Sequence, residues 1–145
     1  MARILIVDDE DDICQILSYS LQTAGYETVI AHSAEEAIPI VRTTPPDLIL
    51  LDIMLDGMSG TQMAAYLRNE GLMTMPVIFL TALGNENDVL KGFQLGADDY
   101  ITKPFRVTEV LARVAAVLKR TGGRTPAPTA GTLTFQGIVI NDQDK

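Results

Sequence analysis

A chain of 145 residues that is 47% hydrophobic and 21% charged has the size and balance of one globular domain with its own core, and no room for a second complete one. The net charge of -8 and pI near 4.4 exclude a chain that grips a phosphate backbone itself, because such binding rests on clustered Lys and Arg. The lone Cys14 excludes an intramolecular disulfide, and with no signal-peptide pattern or membrane-length apolar run a cytoplasmic location is expected.

The first predicted element is the apolar run Ile4 to Val7, which passes directly into Asp8, Asp9, Glu10, Asp11 and Asp12. Two like charges 4 Å apart repel by about 1 kcal/mol in water and about 4 kcal/mol at an effective dielectric near 20, so this crowding calls for a helix N-terminus, a cation or both. Asp11 and Asp12 suit the start of a helix, where they would complement its dipole. Ile13, Ile16, Leu17, Leu21 and Ala24 follow the helical period, and Gly25 stands where a left-handed cap would end it. A strand at Val29 to Ala31 follows. Ser33 and Glu36 signal a capping box for a second helix through about Val41, in which Pro39 should remove one backbone bond and bend or shorten the helix.

Leu48 to Leu51 reads as a third strand, Gly60 to Asn69 as a third helix and Val77 to Leu80 as a fourth strand. A fourth helix capped by Asn85 or Asn87 would end at Gly96, Tyr100 to Ile101 is a short fifth strand, and Val107, Val110, Leu111, Val114, Val117 and Leu118 make the stripe of a fifth helix. The first, third and fourth apolar runs are continuous rather than alternating, as in parallel strands covered on both faces. Strands alternating with helices imply right-handed crossovers and an α/β, doubly wound sheet. From Thr121 the composition turns Gly- and Pro-rich, so residues 121–132 read as a flexible linker. LTFQGIVIND, within 133–145, reads as the start of a further domain cut short by the end of the chain.

Ligand sites in open α/β sheets lie outside the carboxyl ends of the strands. Asp8 and Asp9 end the first strand, Asp52 the third and Thr81 the fourth, and Lys103 follows the fifth, so three carboxylates, a hydroxyl and an ammonium converge on one rim. Oxygen ligands of this kind suit Mg²⁺, whereas the isolation of Cys14 and His32 disfavours zinc. Taken singly, Thr81 is a strand residue, Lys103 a solvated cation, Cys14 a small residue at the edge of the first helix and His32 a loop residue. Glu10 is open between supporting the rim and plain solvation.

The order Asp8-Asp9, Asp52, Thr81-Ala82 and Lys103-Pro104-Phe105 resembles the receiver domain of two-component response regulators over residues 1 to about 120. GADDYITKPF, then EVLARVAAVLKR and a linker, further resemble the OmpR/PhoB subfamily, whose members carry a C-terminal winged-helix DNA-binding domain. The resemblance implies a flavodoxin-like (βα)5 fold, a five-stranded parallel sheet in the order 2-1-3-4-5. It implies a phosphorylation-controlled switch rather than an enzyme. Asp52 would accept a phosphoryl group from a sensor histidine kinase; Asp9, Asp52 and the Met54 carbonyl would hold Mg²⁺, with Asp8 acting through water. Lys103, the Thr81 hydroxyl and the Ala82 amide would stabilise phosphoryl oxygens, and Lys103-Pro104 would be cis.

By the same resemblance Thr81 and Tyr100 form the switch, although Tyr100 taken alone is a packing residue. They would alter the face of the fourth helix, fifth strand and fifth helix, through which phosphorylated copies form a homodimer. Asp99, Glu109 and Arg113 would make ion pairs across that dimer, or Glu109 and Arg113 only a surface helix pair; Val89 departs from the basic residue the subfamily often places opposite Glu109. Asp56 replaces the usual proline. Met54 and Leu83, two beyond Asp52 and Thr81, tune hydrolysis in this family, and as apolar residues they cannot orient water, which implies a long-lived phosphorylated state. The rivals are a Mg²⁺-dependent phosphohydrolase with an aspartate nucleophile and a non-phosphorylated adaptor. Against the first, Met54 stands where haloacid-dehalogenase-like phosphatases place a second acid.

Overall fold

The computed structural model describes residues 2–82 and 98–122, and the following statements concern those residues. Strand β1 (Arg3–Val7) leads to helix α1 (Asp11–Thr23), β2 (Glu27–Ala31) to α2 (Ala34–Thr43), and β3 (Leu48–Asp52) to α3 (Gly60–Asn69). Strands β4 (Val77–Ala82) and β5 (Asp99–Lys103) and the last helix, α4 (Val107–Gly122), complete the order. All strands are parallel, in the order β2-β1-β3-β4-β5, the doubly wound sheet that the alternation and the resemblance implied. The helix expected between Asn85 and Gly96, with Leu83 and Val89, lies outside the described residues, as does the chain from 123 onward.

The continuous apolar runs are explained by two covered faces. Leu5, Val7, Ile49, Leu51, Val77 and Phe79 pack with Ala34, Ala37 and Val41 of α2 and Met63, Ala64 and Leu67 of α3. The alternate residues Ile4, Ile6, Leu48, Leu50, Ile78 and Leu80 point the other way and are equally buried. Helix α1 packs on β1 and β2. Complete burial of one Leu or Ile contributes about 1.5–3 kcal/mol, so these strands hold the rim on a rigid frame.

Local details correct the sequence reading at several points. On α1 the buried positions are Cys14, Leu17, Ser18 and Leu21, while Ile16 is 53% exposed. Ser18 is tolerated inside because its hydroxyl shares a 2.6 Å hydrogen bond with that of Thr28 on β2. Cys14 is wholly buried rather than at an edge, and its thiol donates to the Asp8 carbonyl at 3.2 Å. Gly25 has φ +101, the left-handed conformation expected of it.

Pro39 does not shorten α2, which runs on to Thr43. Ser33 caps α2 by accepting from the Glu36 amide, but Glu36 accepts from His32 N–H, one residue before the cap, so the box is not reciprocal. The reciprocal box is on α3, where Ser59 accepts from the Gln62 amide and Gln62 from that of Ser59. Helix α4 extends to Gly122, two residues into the stretch read as linker. The described residues up to Val114 fall in one compact unit and those from Ala115 in another.

Candidate functional site

Strand register builds the site. Val7 lies beside Leu51 on the neighbouring strand, so the next residues, Asp8 and Asp52, emerge side by side. Asp52 is level with Leu80, which brings Thr81 one step further out, and Ala82 is level with Lys103. One oxygen each of Asp8, Asp9 and Asp52 lies within 4.8 Å of the others. Asp8 and Asp52 are buried and Asp9 is exposed.

The Lys103 ammonium closes this cluster. It donates to Asp8 Oδ2 at 2.9 Å, Asp52 Oδ2 at 3.1 Å and Glu10 Oε1 at 3.3 Å. The remaining oxygens are aimed by backbone: Asp8 Oδ1 accepts from the Glu10 amide at 2.9 Å and Asp52 Oδ1 from the Met54 amide at 3.1 Å. Each bond fixes a carboxylate plane, as a site that must present oxygens in set directions requires. The peptide Lys103-Pro104 is cis, as the resemblance implied.

One ammonium does not balance three carboxylates. Burial, and then the charge of Asp8, lift the Asp52 carboxyl from 3.8 to about 6, against the pull of Lys103 and the Met54 amide. Burial works against the Lys103 charge, but Asp8 and Asp52 outweigh it and hold the ammonium above its ordinary value. Burial, then the Asp8 charge, push the Cys14 thiol up to about 12, which leaves it an inert thiol under the site. The cluster thus has an all-oxygen donor set and an excess of negative charge, the chemistry of a hard divalent cation site. Asp9, Asp52, the Met54 carbonyl and Asp8 are the candidates to hold it.

Gly60 sets the floor of the loop that follows Asp52, and sequence reading missed it. A Cβ there would stand 2.2 Å from the Asp52 carbonyl oxygen and 2.9 Å from Ile53 Cα, while the Gly60 amide bonds the Ile53 carbonyl at 2.9 Å. A glycine opening a helix, where Gly is a poor helix former, was the available signal. Glu10, open between supporting the rim and plain solvation, reaches Lys103 while staying exposed, a contact across 93 residues that no local pattern announces.

Thr81 is buried, its hydroxyl 3.4 Å from the Ala82 carbonyl, and Ala82 is exposed at the rim. Tyr100 is half-buried and stacks on Phe79, ring centroids 5.6 Å apart, and burial raises its hydroxyl to about 12. Asp99, Glu109 and Arg113 come together within the chain: Arg113 Nη1 donates to both Asp99 oxygens at 3.0 Å and Nε to Glu109 Oε2 at 3.2 Å. Hydrogen bonding by Asp99 is the main reason the guanidinium is held above its ordinary value. His32 is more than a loop residue, because its Nε2 meets Asp11 Oδ1 at 3.0 Å and lowers that carboxyl. Met54 is 61% exposed beside the cluster, and Asp56 is exposed and is not one of the three carboxylates that converge. No helix among the described residues is long and apolar enough to cross a membrane.

This geometry can be set beside known proteins. The family model for the response regulator receiver domain matches residues 4–115. The phosphate regulon transcriptional regulatory protein PhoB of Pseudomonas aeruginosa is 47% identical over 139 residues, covering 95% of this chain and 59% of that protein. The alkaline phosphatase synthesis transcriptional regulatory protein PhoP of Bacillus subtilis is 43% identical over 141 residues, covering 97% and 58%. The chain therefore spans about three fifths of the length of these relatives. Among solved structures, the receiver domain of the Francisella response regulator 1452 matches with TM-score 0.77 and 32% identity, over 83% of this chain and 99% of that one. A two-component response regulator from Clostridium difficile matches with TM-score 0.78 and 32% identity, over 83% and 98%. With the family model matching most of the chain, and the strand order and relatives in agreement, the chain belongs to the response regulator receiver domain family.

Proposed function

We propose that this chain is the phosphoacceptor module of a two-component regulator, in which Asp52 takes a phosphoryl group from the phosphohistidine of a sensor histidine kinase. The observation that carries this reading is the Lys103 ammonium set between the Asp8 and Asp52 carboxylates, with an Asp9 oxygen close by. Phosphoryl transfer asks a protein mainly for an in-line nucleophile and for neutralisation of charge on the transferred oxygens. Asp52 is the nucleophile, with one oxygen fixed by the Met54 amide and the other turned toward Lys103. Asp9, Asp52, the Met54 carbonyl and Asp8 would hold Mg²⁺, which would supply positive charge to offset the excess negative charge of the site. Lys103, the Thr81 hydroxyl and the Ala82 amide receive the other phosphoryl oxygens. No turnover of substrate follows from this set; the chain promotes its own phosphorylation and slow dephosphorylation.

The output reading is that Thr81 moves toward the phosphoryl group and Tyr100 follows it inward. In support, Phe79, on which Tyr100 stacks, is two residues before Thr81 on the same strand. The consequence is a homodimer through the face that includes β5 and α4. Asp99, Glu109 and Arg113, all half-buried, would exchange their present partners for equivalent ones in the second copy, so that the number of ion pairs is kept. Residues 121–132 would link this module to an output domain beginning at 133–145, a winged helix that would contact DNA in the cytoplasm. The two curated relatives are named as transcriptional regulators, and that supports this part of the reading.

Incubation with acetyl phosphate and Mg²⁺ should add one phosphoryl mass to the wild-type chain, on the peptide that contains Asp52. The same addition to Asp52→Asn would refute the assignment.

A further inference from the structure

Lys103 meets three carboxylates, and they are not equivalent. Asp8 and Asp52 belong to the trio whose oxygens converge within 4.8 Å, whereas Glu10, at 3.3 Å, does not. Glu10 is also the N-cap of α1, with extended backbone (φ -92, ψ 106), at a position where side chains ordinarily accept from the first turn. Its side chain makes no capping bond, and its carboxylate reaches Lys103 instead. The cap's local use has been given up for a long-range one.

A divalent cation and an ammonium cannot share Asp8 and Asp52 closely, since both carry positive charge into a partly buried space. Lys103 is only 18% exposed at its side chain, so an ammonium expelled without a partner would lose hydrogen bonds that water could not fully replace. We propose that Glu10 is a positioning residue that acts through Lys103: it receives the ammonium as the cation takes Asp8, Asp9 and Asp52, and keeps it at the rim. This inference rests on the cation-site reading given above. Glu10 lowers the cost of displacing Lys103 and so tightens cation binding without touching the cation.

The test is a double-mutant cycle on Mg²⁺ affinity, measured by calorimetric titration of the 145-residue chain. Glu10→Gln should weaken Mg²⁺ binding by about fivefold, the scale of coupling between contacting residues, and by less than about twofold when Lys103 is already Ala. A charge acting at a distance, or a loss of helix capping, would give the same loss in both backgrounds and would overturn the proposal, as would unchanged affinity in Glu10→Gln. Failure of wild type to bind Mg²⁺ would overturn the cation site itself, and this inference with it. Should Lys103→Ala not fold, the ¹⁵N signal of the Lys103 ammonium provides the second measurement. On saturation with Mg²⁺ it should persist in wild type and broaden away by solvent exchange in Glu10→Gln; persistence in both would refute the role.

Discussion

Asp52→Asn should make the metal-free chain more stable, not less, at neutral pH. The wild-type carboxyl is lifted from 3.8 to about 6, first by burial and then by the neighbouring Asp8 charge, even with Lys103 hydrogen-bonded to it. Between those values the folded chain holds a proton on Asp52 that the unfolded chain has released. The contribution of this group to stability is therefore highest below about pH 4 and falls as pH rises through about 6. At about 1.4 kcal/mol per tenfold in proton affinity, the full loss is about 3 kcal/mol. Asparagine keeps the shape and removes the charge, so the variant escapes the loss. Urea unfolding followed by circular dichroism, in chelated buffer from pH 4 to 8, should show the two proteins nearly equal at pH 4 and the variant ahead by up to about 3 kcal/mol at pH 7.5. A variant less stable than wild type at pH 7.5 would refute the reasoning, because Asp52 would then be held by Lys103 more strongly than it is strained by burial and Asp8.

The same excess charge predicts that Mg²⁺ raises the melting temperature of wild type more than that of Asp9→Asn; equal shifts in a thermal scan would remove Asp9 from the cation site. Gly60→Ala should destabilise the fold by at least about 2 kcal/mol in urea, since its methyl would meet backbone atoms of Asp52 and Ile53 that cannot rotate away. An unaffected midpoint would show that the loop after Asp52 yields easily. Once phosphorylated, wild type should lose its phosphoryl group several-fold more slowly than a Met54→Asn, Leu83→Glu variant, which gains two polar groups able to orient water. Equal decay, followed by intact mass, would show that these positions do not govern lifetime in this chain.

The strands were legible because both faces of a parallel sheet are buried, which leaves continuous apolar runs such as Leu48 to Leu51 that a helix period does not fit. Their neighbours were legible only through alternation with helices and family resemblance, since pairing order is set by long-range packing. Asp8, Asp52 and Lys103 stood out because each lies at the carboxyl end of a strand, and register then brings them together. Side-chain partners chosen across the sheet were not legible. Ile16 has the spacing of a core residue but lies outward, because Cys14 and Ser18 fill the seam beside β1 and β2. Pro39, exposed on the outer side of α2, removes one backbone bond but does not end the helix, which runs on to Thr43. Arg113 was open between a partner on its own helix and one in a second copy. Within the chain it takes Glu109 and Asp99 together, a contact that needs β5 in place beside α4.

Asp52 is proposed as the phosphoacceptor, served by the carboxylate cluster around Lys103 together with Mg²⁺. Intact-mass spectrometry after exposure to phosphoramidate, a small donor with the phosphorus–nitrogen bond of phosphohistidine, addresses both halves at once. One added phosphoryl group is expected on wild type with Mg²⁺, almost none with a chelator, and none on Asp52→Asn. Equal labelling of wild type with and without Mg²⁺, or undiminished labelling of Asp52→Asn, would contradict that assignment.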